Sequence, residues 1–172
     1  MKKIFIPLIT FVVSLCSCSE NKNEETNLES ANQKDTVIEV DPNAYDSIYA
    51  EKLGADEYGM KTYVMAFLKA GPNRDLDSAE AVELQMGHMA NINRLADEGK
   101  LVLAGPFYED PESDLQGIYI FNVSTIEEAE ALTNTDPAIQ AGSLVMDLQM
   151  WYGSAALMEV NAIHKRVAKT TF

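Results

Sequence analysis

From Lys61 onward, apolar residues fall into short blocks whose period switches between two and about 3.6. Lys61 to Lys69 (KTYVMAFLK) is a dense apolar and aromatic run that predicts a strand, broken by Ala70-Gly-Pro-Asn-Arg-Asp75. Asp77 and Glu80 have the spacing of a capping box and open a helix that runs to Glu98, with Gly99 as its left-handed stop. Leu101 to Ala104 predicts a second strand, ended by Gly105-Pro106, and Gly117 to Val123 a third. Ser124 and Glu127 form another capping-box pair, before a helix carrying Ala129, Ala131 and Leu132 that Asn134-Thr-Asp-Pro137 stops. In Ser143 to Tyr152, Leu144, Met146, Leu148 and Met150 alternate with Val145, Asp147, Gln149 and Trp151, as in a fourth strand. Residues 60–153 therefore read β-α-β-β-α-β, an α+β fold of the ferredoxin-like kind.

The flanks carry weaker patterns. Between residues 42 and 59, Tyr45, Ile48, Tyr49 and Leu53 mark one face of a short docking helix. Residues 154–172 form a C-terminal extension in which Leu157, Val160, Ile163 and Val167 recur at helical spacings. Two helices cover only one face of a four-stranded sheet, so the other face needs a cover. A homodimer with sheets packed face to face is the expectation, and cover by the extension and the Tyr45–Leu53 helix is the competing one.

The beginning of the chain has a different character. Met1-Lys2-Lys3 precedes an apolar run from Ile4 to Leu15, too short for the roughly 20 residues of a membrane span but suited to a secretory signal. Leu15-Cys16-Ser17-Cys18 resembles the lipobox of bacterial lipoproteins. That resemblance implies a signal peptide of residues 1–17, acylation of Cys18 and a cell-envelope lipoprotein, and Ser19 in place of an Asp after the lipidated Cys points to the outer membrane if the host is diderm. Residues 18–41, rich in Asn, Glu, Ser and Thr, read as a flexible acidic tether.

Composition then narrows the classes of function. The 172 residues are 47% hydrophobic, as a folded protein requires. Thirteen Lys and Arg against 27 Asp and Glu give a formal net charge of -14, which excludes unaided nucleic-acid binding. With Cys16 removed and Cys18 lipidated, neither of the two cysteines remains for a disulfide, a thiolate metal site or a nucleophile.

One polar residue stands where the core belongs. Ala81, Leu84, His88, Ile92 and Leu95 share a face of the first long helix, with His88 at its centre. A buried imidazole needs partners for both nitrogens, and Asp136 is the acidic candidate. A carboxylate on one nitrogen would fix the tautomer and leave the other for proton transfer. Equally, His88 could be a hydrogen-bonded core or interface histidine, and Asp136 a turn-capping residue. Arg74 is a candidate for an anionic substrate and Trp151 for an aromatic pocket wall, with loop ion pairing and core packing as the respective alternatives. His164-Lys-Arg166 reads as a solvated basic face. The sequence has no phosphate-binding glycine loop, paired-His metal motif or hydrolase elbow, so no cofactor or metal is expected.

The ordered set Gly87-His88, Leu95-Ala-Asp-Glu-Gly-Lys100, Leu101-Val-Leu-Ala-Gly-Pro-Phe107, Gly117-Ile-Tyr-Ile-Phe121, Ser124 with Glu127-Glu-Ala129, Thr135-Asp-Pro137 and Trp151 resembles a YciI-like (YCII-related) domain. The resemblance implies a dimeric α+β barrel with a cleft between helices and sheet, and His88 and Asp136 as a catalytic pair. It names no substrate. The functional expectation is a His/Asp acid-base enzyme of hydrolase, isomerase or lyase type, acting on a small organic molecule. A non-catalytic envelope module, for ligand binding or structure, is the alternative.

Overall fold

A computed structural model describes residues 41 and 43–170. The signal segment, nearly all of the 18–41 tether and Cys18 lie outside the described residues. The elements are α1 (Ser47–Leu53), β1 (Met60–Ala70), α2 (Ser78–Asp97), β2 (Leu101–Pro106), β3 (Leu115–Phe121), α3 (Ile126–Thr133), α4 (Pro137–Gln140) and β4 (Leu144–Ser154). A 3₁₀ turn, Ala155–Glu159, leads into α5 (Val160–Val167).

Local chemistry accounts for the helix ends. Asp77 caps α2 by accepting from the amides of Ala79 and Glu80, while Glu80 returns a bond to the Asp77 amide. Gly99 follows at φ 68°, where a Cβ would be strained. The cap of α3 sits one residue later than the sequence suggests. Thr125, not Ser124, accepts from the Glu128 amide, and Glu128 rather than Glu127 reaches back to the Ser124 amide. Both pairs are three apart, so spacing alone could not choose between them. The Asn134–Pro137 stop is also a start: Asp136 caps α4, and Pro137 occupies its first turn, where a missing N–H costs nothing.

The sheet has the order β2-β3-β1-β4, with every neighbouring pair antiparallel. The expected barrel is overturned: the protein is α+β with an open four-stranded sheet whose edges, β2 and β4, do not meet. Four strands are too few to curl into a closed cylinder around packed side chains, which takes about eight.

Alternation divides the sheet residues between two faces. On the inner face, Val64, Ala66, Leu101, Tyr119 and Phe121 pack with Leu95 of α2 and with Val123 and Ala129 at α3. Met146 and Leu148 of β4 join the edge of this cluster. Each fully buried Leu or Val there contributes roughly 1.5–3 kcal/mol of transfer free energy. The outer face carries Tyr63, Val102 and Ile120, covered at one end by Leu157 and Met158 of the 3₁₀ turn. Intrachain cover by the extension is therefore real but partial: Met65, Phe67 and Ile118 are half-buried, and Val145 is exposed. α1 lies against the 3₁₀ turn through Lys52–Glu159, with Tyr45 and Ile48 exposed. No helix among the described residues is long and apolar enough to cross a membrane.

Candidate functional site

From its third turn onward α2 turns His88, Asn91 and Leu95 inward, at spacings of three and four. Leu95 enters the inner core, whereas His88 and Asn91 bring polar atoms into it. α4 comes close enough to answer them because residue 87 is glycine, and a Cβ there would stand 3.0 Å from Pro137 Cγ. The cap geometry then aims the Asp136 carboxylate. Oδ1 accepts from the Ala138 amide at 2.9 Å, leaving Oδ2 to meet His88 Nδ1 at 2.7 Å. From β3, the Tyr119 hydroxyl lies 3.2 Å from His88 Nε2, and the two rings stack with centroids 6.2 Å apart.

All three groups are shielded: His88 is 6% exposed, Tyr119 3% and Asp136 0%. Burial pushes the Asp136 carboxyl upward, but the hydrogen bond and charge of His88, the Ala138 amide and Asn91 outweigh it. The carboxyl ends below its ordinary value and is ionised at neutral pH. Burial, with the charge of Asp136 behind it, drives the Tyr119 phenol far above its ordinary value, so it remains a hydroxyl. These states assign the imidazole protons. An ionised carboxylate only accepts, so Nδ1 carries hydrogen, and in the neutral ring Nε2 is a lone pair that accepts from Tyr119. The arrangement can hold a proton at Nε2 while Asp136 stabilises the resulting imidazolium.

The network continues behind Asp136. Arg94 Nη2 donates to Asn91 Oδ1 at 2.8 Å and to Thr135 Oγ1 at 2.9 Å. Its Nη1 forms a bidentate pair with Glu98 at 2.9 and 3.0 Å. Among the described residues, no buried side-chain nitrogen or oxygen lacks a partner.

Of the four candidates from the sequence, the fold brings His88 and Asp136 together. Arg74 lies on the exposed loop after β1, where Nη1 reaches the Ser143 carbonyl at 3.4 Å. Trp151 is on the outer face, across the sheet from His88. Its ring folds over Gly153 and lies 5.9 Å from that of Tyr63. A groove of about 380 Å³ runs between α3, α4 and β4, lined by residues including Ile126, Glu130, Ile139, Met146 and Asp147. It contains none of His88, Asp136 and Tyr119.

Tyr119, Asn91, Arg94 and Thr135 are not among the site residues that the sequence singles out. Asn91 carried a usable signal, since it lies three residues beyond His88 on the same helical face. Tyr119 carried none, because alternation separates two faces of a strand without saying which one the helices cover.

Among known proteins, no curated sequence matches the chain. A solved structure of 5-chloro-2-hydroxyhydroquinone dehydrochlorinase from Burkholderia phenoliruptrix, in complex with 2,5-dihydroxybenzoquinone, matches 53% of this chain and 93% of its own, at 17% identity and a TM-score of 0.38. The family model of the YCII-related domain matches residues 62–151, just over half of the chain, from Thr62 in β1 through Trp151 in β4. The chain belongs to the YCII-related family.

Proposed function

We propose that the protein is an acid-base enzyme of hydrolase, isomerase or lyase type acting on a small organic molecule, with His88 as the proton-transferring group and Asp136 as its orienting carboxylate. The 2.7 Å contact between a buried, ionised Asp136 and His88 Nδ1 carries this reading. Because the Tyr119 hydroxyl occupies Nε2, the substrate proton reaches the ring through that hydroxyl. Tyr119 takes the substrate proton as it gives its own to Nε2, so the phenol never becomes a free phenolate. The test is a panel of small cyclic and aromatic lactones, esters and hydroxy ketones. The wild type should turn over at least one, and a folded His88→Ala variant should lose about 10²-fold or more of that rate.

A second reading is favoured by one observation. Both nitrogens of His88 are bonded and the ring is 6% exposed, as in a polar element that only specifies the core. In that case His88→Ala lowers stability and leaves any turnover intact.

Two contextual proposals accompany the function. The Leu15-Cys16-Ser17-Cys18 sequence supports attachment through acylated Cys18, at the outer membrane of a diderm host, and an unmodified Cys18 in the mature protein would refute it. Half-buried Met65, Phe67 and Ile118 support a homodimer, which a single monomeric species across the micromolar range in sedimentation would reject.

A further inference from the structure

We propose that Arg94 is a positioning residue for the His88–Asp136 pair, acting through the side-chain amide of Asn91. The inference rests on the acid-base reading for its catalytic meaning, but its geometry is independent of any substrate.

A guanidinium has five N–H donors and no acceptor. Whatever Arg94 touches on Asn91 must therefore be the amide oxygen, and Oδ1 lies 2.8 Å from Nη2. That contact fixes the rotation of the amide. With Oδ1 directed at Arg94, the NH₂ group is the end left for Asp136, whose carboxylate Asn91 helps to hold ionised. The opposite orientation would set an amide oxygen against a buried carboxylate, two acceptors with no proton between them.

Thr135 completes the clamp. Its hydroxyl accepts from Arg94 at 2.9 Å and lies 2.7 Å from the Leu132 carbonyl and 3.0 Å from Asn91 Oδ1. It has one hydrogen for two acceptors. While Arg94 supplies Asn91, that hydrogen is free to serve Leu132. Without Arg94, Thr135 must leave one of them short. On its far side Arg94 is anchored by Glu98, so hydrogen bonds run from a half-exposed ion pair to Asn91, on the same buried face of α2 as His88, and to Thr135, the residue before Asp136. Lys would not substitute, because a point ammonium lacks the fork that spans Asn91, Thr135 and Glu98 together.

The test is ¹⁵N NMR of the imidazole nitrogens in the full chain, labelled at histidine, with His88→Gln used to assign the His88 signals against His164. In its neutral form the wild-type ring should show a protonated Nδ1 and an unprotonated Nε2. Arg94→Met should move both shifts toward their tautomeric average and speed exchange of the Nδ1 proton with water by about tenfold or more. Arg94→Lys should move them in the same direction by less, and it serves if the Met variant does not fold. Glu98→Gln removes the surface charge but keeps an amide oxygen to accept from Nη1 and leaves Asn91 and Thr135 in place, so its change should be much the smallest of the three. Unchanged imidazole signals in the Arg94 variants, or an equal change in Glu98→Gln, would overturn the inference. Neither result bears on whether His88→Ala abolishes turnover, so the failure of one reading is distinguishable from the failure of the other.

Discussion

The ring of Pro137 rests against the backbone of Gly87, so that any side chain at residue 87 would meet it at 3.0 Å from Cγ and 3.4 Å from Cβ. The residue beside His88 thus sets how near α4 can come to α2. Gly87→Val should push α4 outward and lengthen the His88–Asp136 contact, with a loss of about 1–3 kcal/mol from overpacking. Urea unfolding measures the loss, and the His88 Nδ1 proton signal reports the contact. A variant as stable as wild type with an unshifted signal would show that α4 yields freely.

Asp136→Asn tests the charge of the pair. The folded-state carboxyl lies below its ordinary value. Its contribution to stability is therefore present above the unfolded value, near pH 4, and is lost as pH falls through the folded one. The stability difference between wild type and variant should be about 1–3 kcal/mol at pH 7 and shrink below about pH 4. Asp56, bonded by the Tyr152 hydroxyl, and Asp147, bonded by Gln149 and Lys69, are also lowered, but they occur in both proteins and cancel in the difference. Urea midpoints from pH 3 to 7 give the curve, and a difference independent of pH would rule out an ionised Asp136.

Tyr119→Phe probes the opposite end of the scale. Burial and Asp136 hold the folded phenol protonated well past its ordinary range. Because the unfolded phenol ionises near pH 10, this contribution is constant below that pH and declines above it. The Phe variant should be about 1–3 kcal/mol less stable at pH 7, since Nε2 loses its donor, and its deficit should narrow above pH 10. Tyr63, raised by burial alone, is common to both proteins. Thermal unfolding between pH 7 and 11 would decide, and a deficit that widens at high pH would count against the assignment.

The parts of this molecule legible in the sequence are those with a sustained period. Leu144, Met146 and Leu148 announce β4 by alternation, and His88 announces itself by interrupting an apolar stripe. The same stripe overreaches at its start, because the first turns of α2 stand in solvent and leave Ala81 exposed. α4 escaped because four residues complete barely one turn, and Asp136-Pro137 ends one helix with the same chemistry that begins another. The barrel was misread for a different reason. It came from the family resemblance and not from any period, and closure depends on how many strands share the sheet and what lies beyond its edges. Arg94 was hidden because its partners come from α2 and from the turn before α4, 41 residues away at Thr135.

The C-terminal turn has a consequence for where this domain ends. The family pattern stops at residue 151, yet Leu157 and Met158 lie over Tyr63, Val102 and Ile120. The Tyr63 hydroxyl donates to the Ser154 carbonyl at 3.1 Å, the Ala155 amide to Gly59 at 2.9 Å, and Asn161 to the Leu101 carbonyl at 2.8 Å. The stretch that the family pattern matches and the stretch that packs as one unit therefore have different borders. Excising residues 62–151 alone would strip a hydrophobic cluster of its lid and take away the partners of the Tyr63 hydroxyl and the Leu101 carbonyl, so a stable truncation of this domain should extend into α5.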